Sequence, residues 1–499
     1  MDIDANADLD TEPRPTWLER LRATPRGVWG LGLMLLALVT PFLVRAWFLS
    51  QVPDIGDPFD VAAFCKSMDV PPEQRVLNAH RIADRLYYDE YWARRTGSVP
   101  LTGTWIGSSP TRDVIETVVT QGWGAAEDFV KEWVATHEPS LLEWKRATEL
   151  NGIRFDPTED LIWWFDEAFN NHFHEFDSLA VLCGRRCEAE HDLAGAFQWY
   201  RAGILVRDQL WGAAWKADDL SNILDWAALP EVSAAQLRTA LGQLRRDRAA
   251  RQPASHAIKV EYLRAMNSLR KRDGLATAIR YRSGTQSPMD TKTAVFWRFV
   301  YWIGGEPERT RRLYQHLVAN QLRGVDLPAP THRALHTPTS TLIYNDDAAV
   351  PLPSQHLSAA RIAQAIRMSA ISSGLEGSVT GGQLLRDPIF EHFFREARAF
   401  PALFELALVL QIHRREHGTF PAQLEYLVPG YIDAVPVDPC DPKALPVRYR
   451  LDDPDRATLW SVGGNDVDDN GILRGADALL VVRAPAVVGN GPVPETARD

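Results

Sequence analysis

Cysteine is scarce, at four of 499 residues, and that excludes a disulfide scaffold. Lysine is nearly absent: the 54 cationic residues include eight Lys, and the rest are Arg. Cations do not dominate either, because the formal net charge is −11. The chain therefore lacks the basic footprint expected of a nucleic-acid-binding protein, and no nucleic-acid partner is expected. Long uncharged apolar runs are missing except for one near the N-terminus, which excludes a multi-span membrane protein. There is no Walker loop, no dinucleotide fingerprint and no G-x-S-x-G elbow. What is present is ordinary globular material, 45% hydrophobic and 24% charged. Its length suits two to four domains. The 17 Trp residues suit well-filled interfaces between helices.

The one long apolar run is Val28 to Val44, extended past Arg45 by Ala46-Trp-Phe-Leu-Ser-Gln-Val52. A bilayer core takes about 20 apolar residues. Residues 28–50 suffice if Arg45 snorkels to the interface, with Trp29 and Trp47 near the two ends. The run is too long for the core of a cleaved signal peptide, and no small-x-small cleavage site follows it. Arg14, Arg20, Arg22 and Arg26 precede the span, while Arg45 and Lys66 follow. The positive-inside rule then puts the N-terminus in the cytoplasm and residues 51–499 outside. This gives a single-pass membrane protein with its bulk outside the cytoplasm. Residues 1–27, with Asp2, Asp4, Asp8, Asp10 and Glu12, read as a solvated acidic tail.

Residues 51–397 read as an irregular α-helical array. Leu193, Phe197, Tyr200 and Ile204 share one helical face, as do Leu237, Leu241 and Leu244. Ser233 and Gln236 have capping-box spacing, which starts a helix near Ser233. Further helical patterns cover 76–95, 125–150, 256–272, 308–322 and 358–372, and a Pro/Thr-rich loop covers 325–355. His191 to Ala196 looks a little like the turn of a tetratricopeptide hairpin, but no 34-residue period accompanies it. Residues 398–485 change texture. A helix from Phe404 to His417 ends at Gly418, Pro421 opens a short helix, and strands are expected at 447–451, 458–462 and 478–483. Residues 486–499 read as a disordered tail. The expected fold class is mainly α, closing in a small α+β module with a short antiparallel sheet.

Three groups of residues could carry chemistry. Asp466-Val-Asp468-Asp-Asn470-Gly471 fits the first half of a calcium loop, with Asp477 at its twelfth position. The alternative is a polar turn, since these residues favour turns without any ion. His413-Arg-Arg-Glu416-His417 is an H-x-x-E-H string, as in one class of zinc peptidases, with Glu416 as general base. Gly418 ends its helix at once, and no third ligand is evident. His172, His174, Cys183, Cys187 and His191 do not match a zinc framework, and buried thiols in a helical core are the plainer reading. With a domain outside the cytoplasm, Cys65 and Cys440 could pair.

The stretch from Ala407 to Val482 resembles the C-terminal region of type II secretion pseudopilins, especially the major pseudopilin. The matching pieces are His417-Gly-Thr-Phe-Pro421, Leu424 and Leu427, Ala434-Val-Pro-Val-Asp-Pro439, Val447-Arg-Tyr449, Leu459-Trp-Ser461-Val-Gly463 and the acidic loop closing at Asp477. The resemblance implies a helix, a small β-sheet and a calcium loop with Asp466, Asp468 and Asp477 as ligands, and Ser461 and Asn465 as secondary candidates. Two departures stand out. Some 350 residues separate the apolar helix from this region, and Gly32 stands where a prepilin-type processing site wants Glu. Processing and polymerisation as a pilus subunit are therefore not expected. The whole chain looks like envelope proteins of planctomycete-type bacteria, which implies the bacterial inner membrane and a periplasmic bulk. The expected function is a non-catalytic, single-pass envelope protein whose helical scaffold meets protein partners. Its C-terminal module is expected to be pseudopilin-like and calcium-stabilised. A zinc metallopeptidase using His413, Glu416 and His417 is the alternative.

Overall fold

A computed structural model describes residues 26–68, 71–74, 112–150, 167–211, 217–270, 302–306, 308–327, 387–462, 468–472 and 478–484, with isolated positions at 19, 79, 82, 83, 85, 86, 299 and 335. It is mostly helical. The helices are α1 (Arg26–Ser50), α2 (Val61–Ser67), α3 (Arg112–Gln121), α4 (Asp128–Thr136), α5 (Glu138–Thr148), α6 (Glu167–Ala189), α7 (Leu193–Trp211), α8 (Ala217–Ala228), α9 (Ala234–Ala250), α10 (Ala254–Arg270), α11 (Glu308–Gln321) and α12 (Asp387–His417). Three strands follow: β1 (Arg448–Asp453), β2 (Arg456–Ser461) and β3 (Ala478–Arg483). Of the helical pattern at 76–95 only positions 79, 82, 83, 85 and 86 are described, all helical; the pattern at 358–372 and most of the expected loop at 325–355 lie outside the described residues.

Local sequence sets several of these elements. Ser233 caps α9: its Oγ accepts from the Gln236 amide, and the Gln236 side chain accepts from the Ser233 amide. Pro139 opens α5, where its missing N–H costs nothing. Gly418 stops α12 with φ +82°, and its N–H closes on the Arg414 carbonyl at 2.8 Å. The short helix expected at Pro421 is instead a 3₁₀ turn at Leu424–Leu427. Its backbone ends at Val428, before Pro429, and a proline disfavours helical geometry in the residue preceding it.

Helices α6 and α7 form a close antiparallel hairpin. A Cβ added to Gly184 would lie 2.2 Å from the Tyr200 ring, so the glycine allows the approach. On the expected buried face of α7, Phe197, Tyr200 and Ile204 are all core residues. The centre of the fold is α12. From Phe400 to Ile412 nearly every side chain is buried, so the helix is apolar all round, as a helix enclosed on every side must be. Helices α8 and α9 cover one side, and β2 and β3 cover the other. One continuous apolar cluster runs from Trp144 and Leu182 through Leu220, Leu237 and Phe404 to Leu459 and Leu480. The expected boundary at 397/398 falls inside α12.

The sheet is antiparallel in the order β1-β2-β3. Leu459 pairs with Tyr449 on one side and Leu480 on the other, and Ala457 with Leu451 and Val482. A second, smaller core joins α10 and α11 through Ile258, Tyr262, Tyr314 and Val318, with Phe59 and Val61 packed against it. The chain leaving α1 therefore enters the folded body directly.

Gly184→Ala should force α6 and α7 apart and cost ~1–3 kcal/mol, the usual penalty for overpacking. Denaturant unfolding of the full chain in detergent measures it. A change within ~0.3 kcal/mol would mean that the two helices are not in close contact.

Candidate functional site

The C-terminal module concentrates the sequence-predicted site residues, and one arginine organises them. Arg448, on β1, sits opposite Trp460 of β2. Its guanidinium donates to Asp438 Oδ2 at 2.6 Å, to Asp441 Oδ2, and through Nε to Asp468 Oδ2 at 3.2 Å. The Asp438 side chain is 0% exposed. Its four contacts fill both oxygens: Cys440 N at 2.9 Å and Ser461 Oγ at 2.5 Å on Oδ1, Arg448 and Val462 N at 2.8 Å on Oδ2. A buried carboxylate is tolerable only when so paired. Asp441 Oδ1 accepts from the Lys443 amide at 2.5 Å. The Asp438-Pro-Cys-Asp441-Pro run is thus a pair of carboxylate-closed turns with their remaining oxygens aimed at one guanidinium.

Asp468, the second aspartate of the calcium-type pattern, is part of this group. Its Oδ1 accepts from Trp460 Nε1 at 2.9 Å and from the Asn470 amide at 2.9 Å. Burial works to raise its pKa, but the Trp460 indole, the Asn470 amide and Arg448 together hold it below the ordinary carboxylate value. Burial likewise works to raise the Asp441 pKa, and Arg448 with the Lys443 amide outweighs it and holds that pKa below the ordinary carboxylate value. Asn470 and Gly471 take φ +61° and +64°, the left-handed turn that Asn and Gly accept best. A Cβ at Gly471 would lie 2.9 Å from the Trp460 ring, so the backbone at Gly471 lies close against that indole. Arg450 covers the same ring at 5.5 Å and donates to the Asn470 carbonyl at 2.8 Å.

Asp466, Asn465 and Asp477 lie outside the described residues. Of the other expected ligands, Ser461 is buried and donates to Asp438, and the Asn470 backbone N–H donates to Asp468. The described donors fit calcium poorly, since a cationic side chain and two N–H groups already occupy the Asp468 oxygens.

The His413–His417 string is placed on the last turn of α12. His413 Nδ1 lies 3.0 Å from the Thr419 carbonyl and His417 Nδ1 lies 3.1 Å from the His413 carbonyl, so each Nδ1 carries the proton. The rings stack at 4.3 Å and 17°. Burial, with a smaller contribution from His417, lowers the His413 pKa, which keeps it neutral at neutral pH. Glu416 takes a hydrogen bond from Tyr431 Oη at 2.6 Å and pairs with Arg238 of α9. The Tyr431 bond and then Arg238 lower its pKa, making it a weak proton acceptor. Arg414 pairs with Asp455 beyond the end of β1. Arg415 donates to the carbonyls of Ala227 at 3.0 Å, Leu229 at 2.7 Å and Val232 at 3.0 Å, closing the C-terminal end of α8. Among the described residues no three His, Cys, Asp or Glu are grouped to hold a metal.

Cys183 and Cys187 are buried in the core cluster. Burial pushes the Cys183 thiol up to about 12, so it stays protonated. His191 lies exposed in the turn after α6, away from that buried face. The four cysteines form no disulfide.

Sequence reasoning missed Arg448, Asp438 and Asp441 as a unit. Asp438 and Asp441 each precede a proline, which marks a turn, but nothing in the sequence points those turns at β1.

Arg448→Met should cost ~3–5 kcal/mol at pH 7, as when one partner of a buried pair is removed. The depressed Asp441 and Asp468 pKa values contribute stability above the unfolded carboxylate value of about 3.9, and it is lost as pH falls through the folded values. The deficit of the variant should therefore shrink below about pH 4. A deficit independent of pH, measured by denaturant unfolding at pH 7 and pH 3.5, would contradict the charge network.

No family model matches the chain, and neither a curated protein nor a solved structure matches it.

Proposed function

We propose that the chain is a non-catalytic, single-pass protein of the bacterial cell envelope. Its helical body serves as a scaffold for protein partners, and its pseudopilin-like module completes that scaffold. The observation that carries the reading is α1. Val28–Ser50 is a 23-residue helix long and apolar enough to cross a membrane, and none of its most apolar stretch is buried in the protein. A core helix of a soluble fold would be covered. The far end of α1 is also gripped by the folded body: Arg312 of α11 donates to the Leu49 and Val52 carbonyls, each at 3.2 Å. Such contacts suit a permanent anchor better than a leader that is removed. The Arg excess before Val28 supports a cytoplasmic N-terminus and a periplasmic bulk. The commitments of Glu416 and of both histidines in fold contacts favour this reading over a metallopeptidase.

Within the module the geometry favours Arg448 as the resident cation of the acidic loop. Calcium is the second reading, motivated by the left-handed turn at Asn470 and Gly471, and it would have to draw Asp468 away from Arg448 toward Asp466 and Asp477. The full chain in detergent should melt at the same temperature, within ~1 °C, in excess calcium and in chelator. A higher melting temperature in calcium that Asp468→Ala abolishes would instead establish the ion.

The envelope assignment is tested by alkaline extraction and by protease added outside spheroplasts. The full-length chain should stay with the membrane, and protease should digest the body while sparing the residues before Val28. Release of a shortened chain into the soluble fraction would overturn the anchor. Protection of the body would overturn the orientation.

A further inference from the structure

Arg45 stands inside the apolar helix, and its half-buried side chain turns toward the folded body. Its guanidinium donates to the Trp302 carbonyl and, at 3.3 Å, to the Glu306 carbonyl, and it lies 5.2 Å from the Trp302 ring. One turn earlier on α1, Phe42 meets the same Trp302 edge-on at 5.0 Å. Phe299 stacks on Trp302 at 6.3 Å and 16° and is itself 51% exposed. An exposed aromatic ring thus lies beside the anchor at the level of Phe42.

That level is fixed by length. If the hydrocarbon ended before Phe42, only Val28 to Pro41 would remain to span it, about 14 residues or ~21 Å at ~1.5 Å per residue. A bilayer core is ~30 Å thick. The hydrocarbon therefore extends past Phe42, and the ring packed on Phe42 reaches the same depth. Trp is favoured at this boundary and Phe is apolar enough to enter the hydrocarbon below it, and the Arg45 charge, costly in lipid, is met there by two carbonyls and a ring face.

We infer that the segment at Phe299 and Trp302 is a second membrane contact, an aromatic wedge seated in the outer interface of the bilayer beside α1. The inference rests on α1 being a membrane anchor and adds to it: the body is held at two points, so it cannot swivel freely about one helix. The occupant of this surface is lipid, because the wedge is continuous with the lipid-facing side of the anchor.

The test places a photo-crosslinking phenylalanine analogue at one position at a time in the full chain. The chain is reconstituted in vesicles of phosphatidylethanolamine and phosphatidylglycerol, and adducts are identified by mass spectrometry. Leu36, exposed on α1, reports the anchor; Leu142, 56% exposed on α5, reports the aqueous body. Lipid adducts at 299 and 36 with none at 142 are expected. Adducts at 36 but none at 299, or a protein adduct at 299 in place of lipid, would overturn the wedge and leave the anchor standing. No adduct at 36 would overturn the anchor itself, and the wedge with it.

Discussion

Burial of one helix on all sides holds this protein together. The stretch from Phe400 to Ile412 has no polar face to offer solvent, apart from Glu405 and the buried Gln411, which donates to the Arg483 carbonyl at 2.6 Å. Such a helix is stable only when enclosed. The helical array supplies one wall and the three-stranded sheet the other. The small module is therefore not an appendage on a linker. Its core side is the same surface that closes the helical body, and damage to either wall exposes the other.

Arginine makes the polar connections across this core. Arg415 closes the end of α8, Arg312 closes the end of α1, and Arg448 gathers three carboxylates. Arg185, buried in α6, ties Glu188 of its own helix to Asp225 of α8 at 3.0 and 3.2 Å. Each site needs several donors at fixed angles from one side chain, which a planar guanidinium offers and an ammonium does not. The excess of Arg over Lys, which composition alone would leave to coding bias, has a use at each of these positions. It also decides how the acidic loop is read. Asp468 looks like a metal ligand in sequence because its neighbours are acidic. In the fold it pairs with Arg448, twenty positions earlier on β1.

The helix-breaking and helix-starting signals were legible because they act within a few residues. Ser233 with Gln236, Gly418 after His417, and the short apolar run Ala478 to Val482 each specify local geometry by short-range hydrogen bonds and sterics. The apolar run at Val28 was legible for the same reason, since length and absence of charge are properties of one segment. The H-x-x-E-H string shows the limit of such reading. Its spacing does place His413 and His417 on one face of a helix, where they stack. What the string does depends on Arg238, Tyr431 and the end of α8, none of which its spacing reveals.

The sequence by itself determined the long apolar helix at Val28, the helical class, the strand positions and the turn at Asn470 and Gly471, because each follows from local pattern and backbone preference. The tertiary structure alone decided that α12 is enclosed, that Arg448 answers Asp438, Asp441 and Asp468, and that Trp302 lies against Phe42 some 260 residues away in the chain. Those outcomes depend on which surfaces meet, and packing between segments distant in sequence settles that only when the whole apolar core is assembled at once.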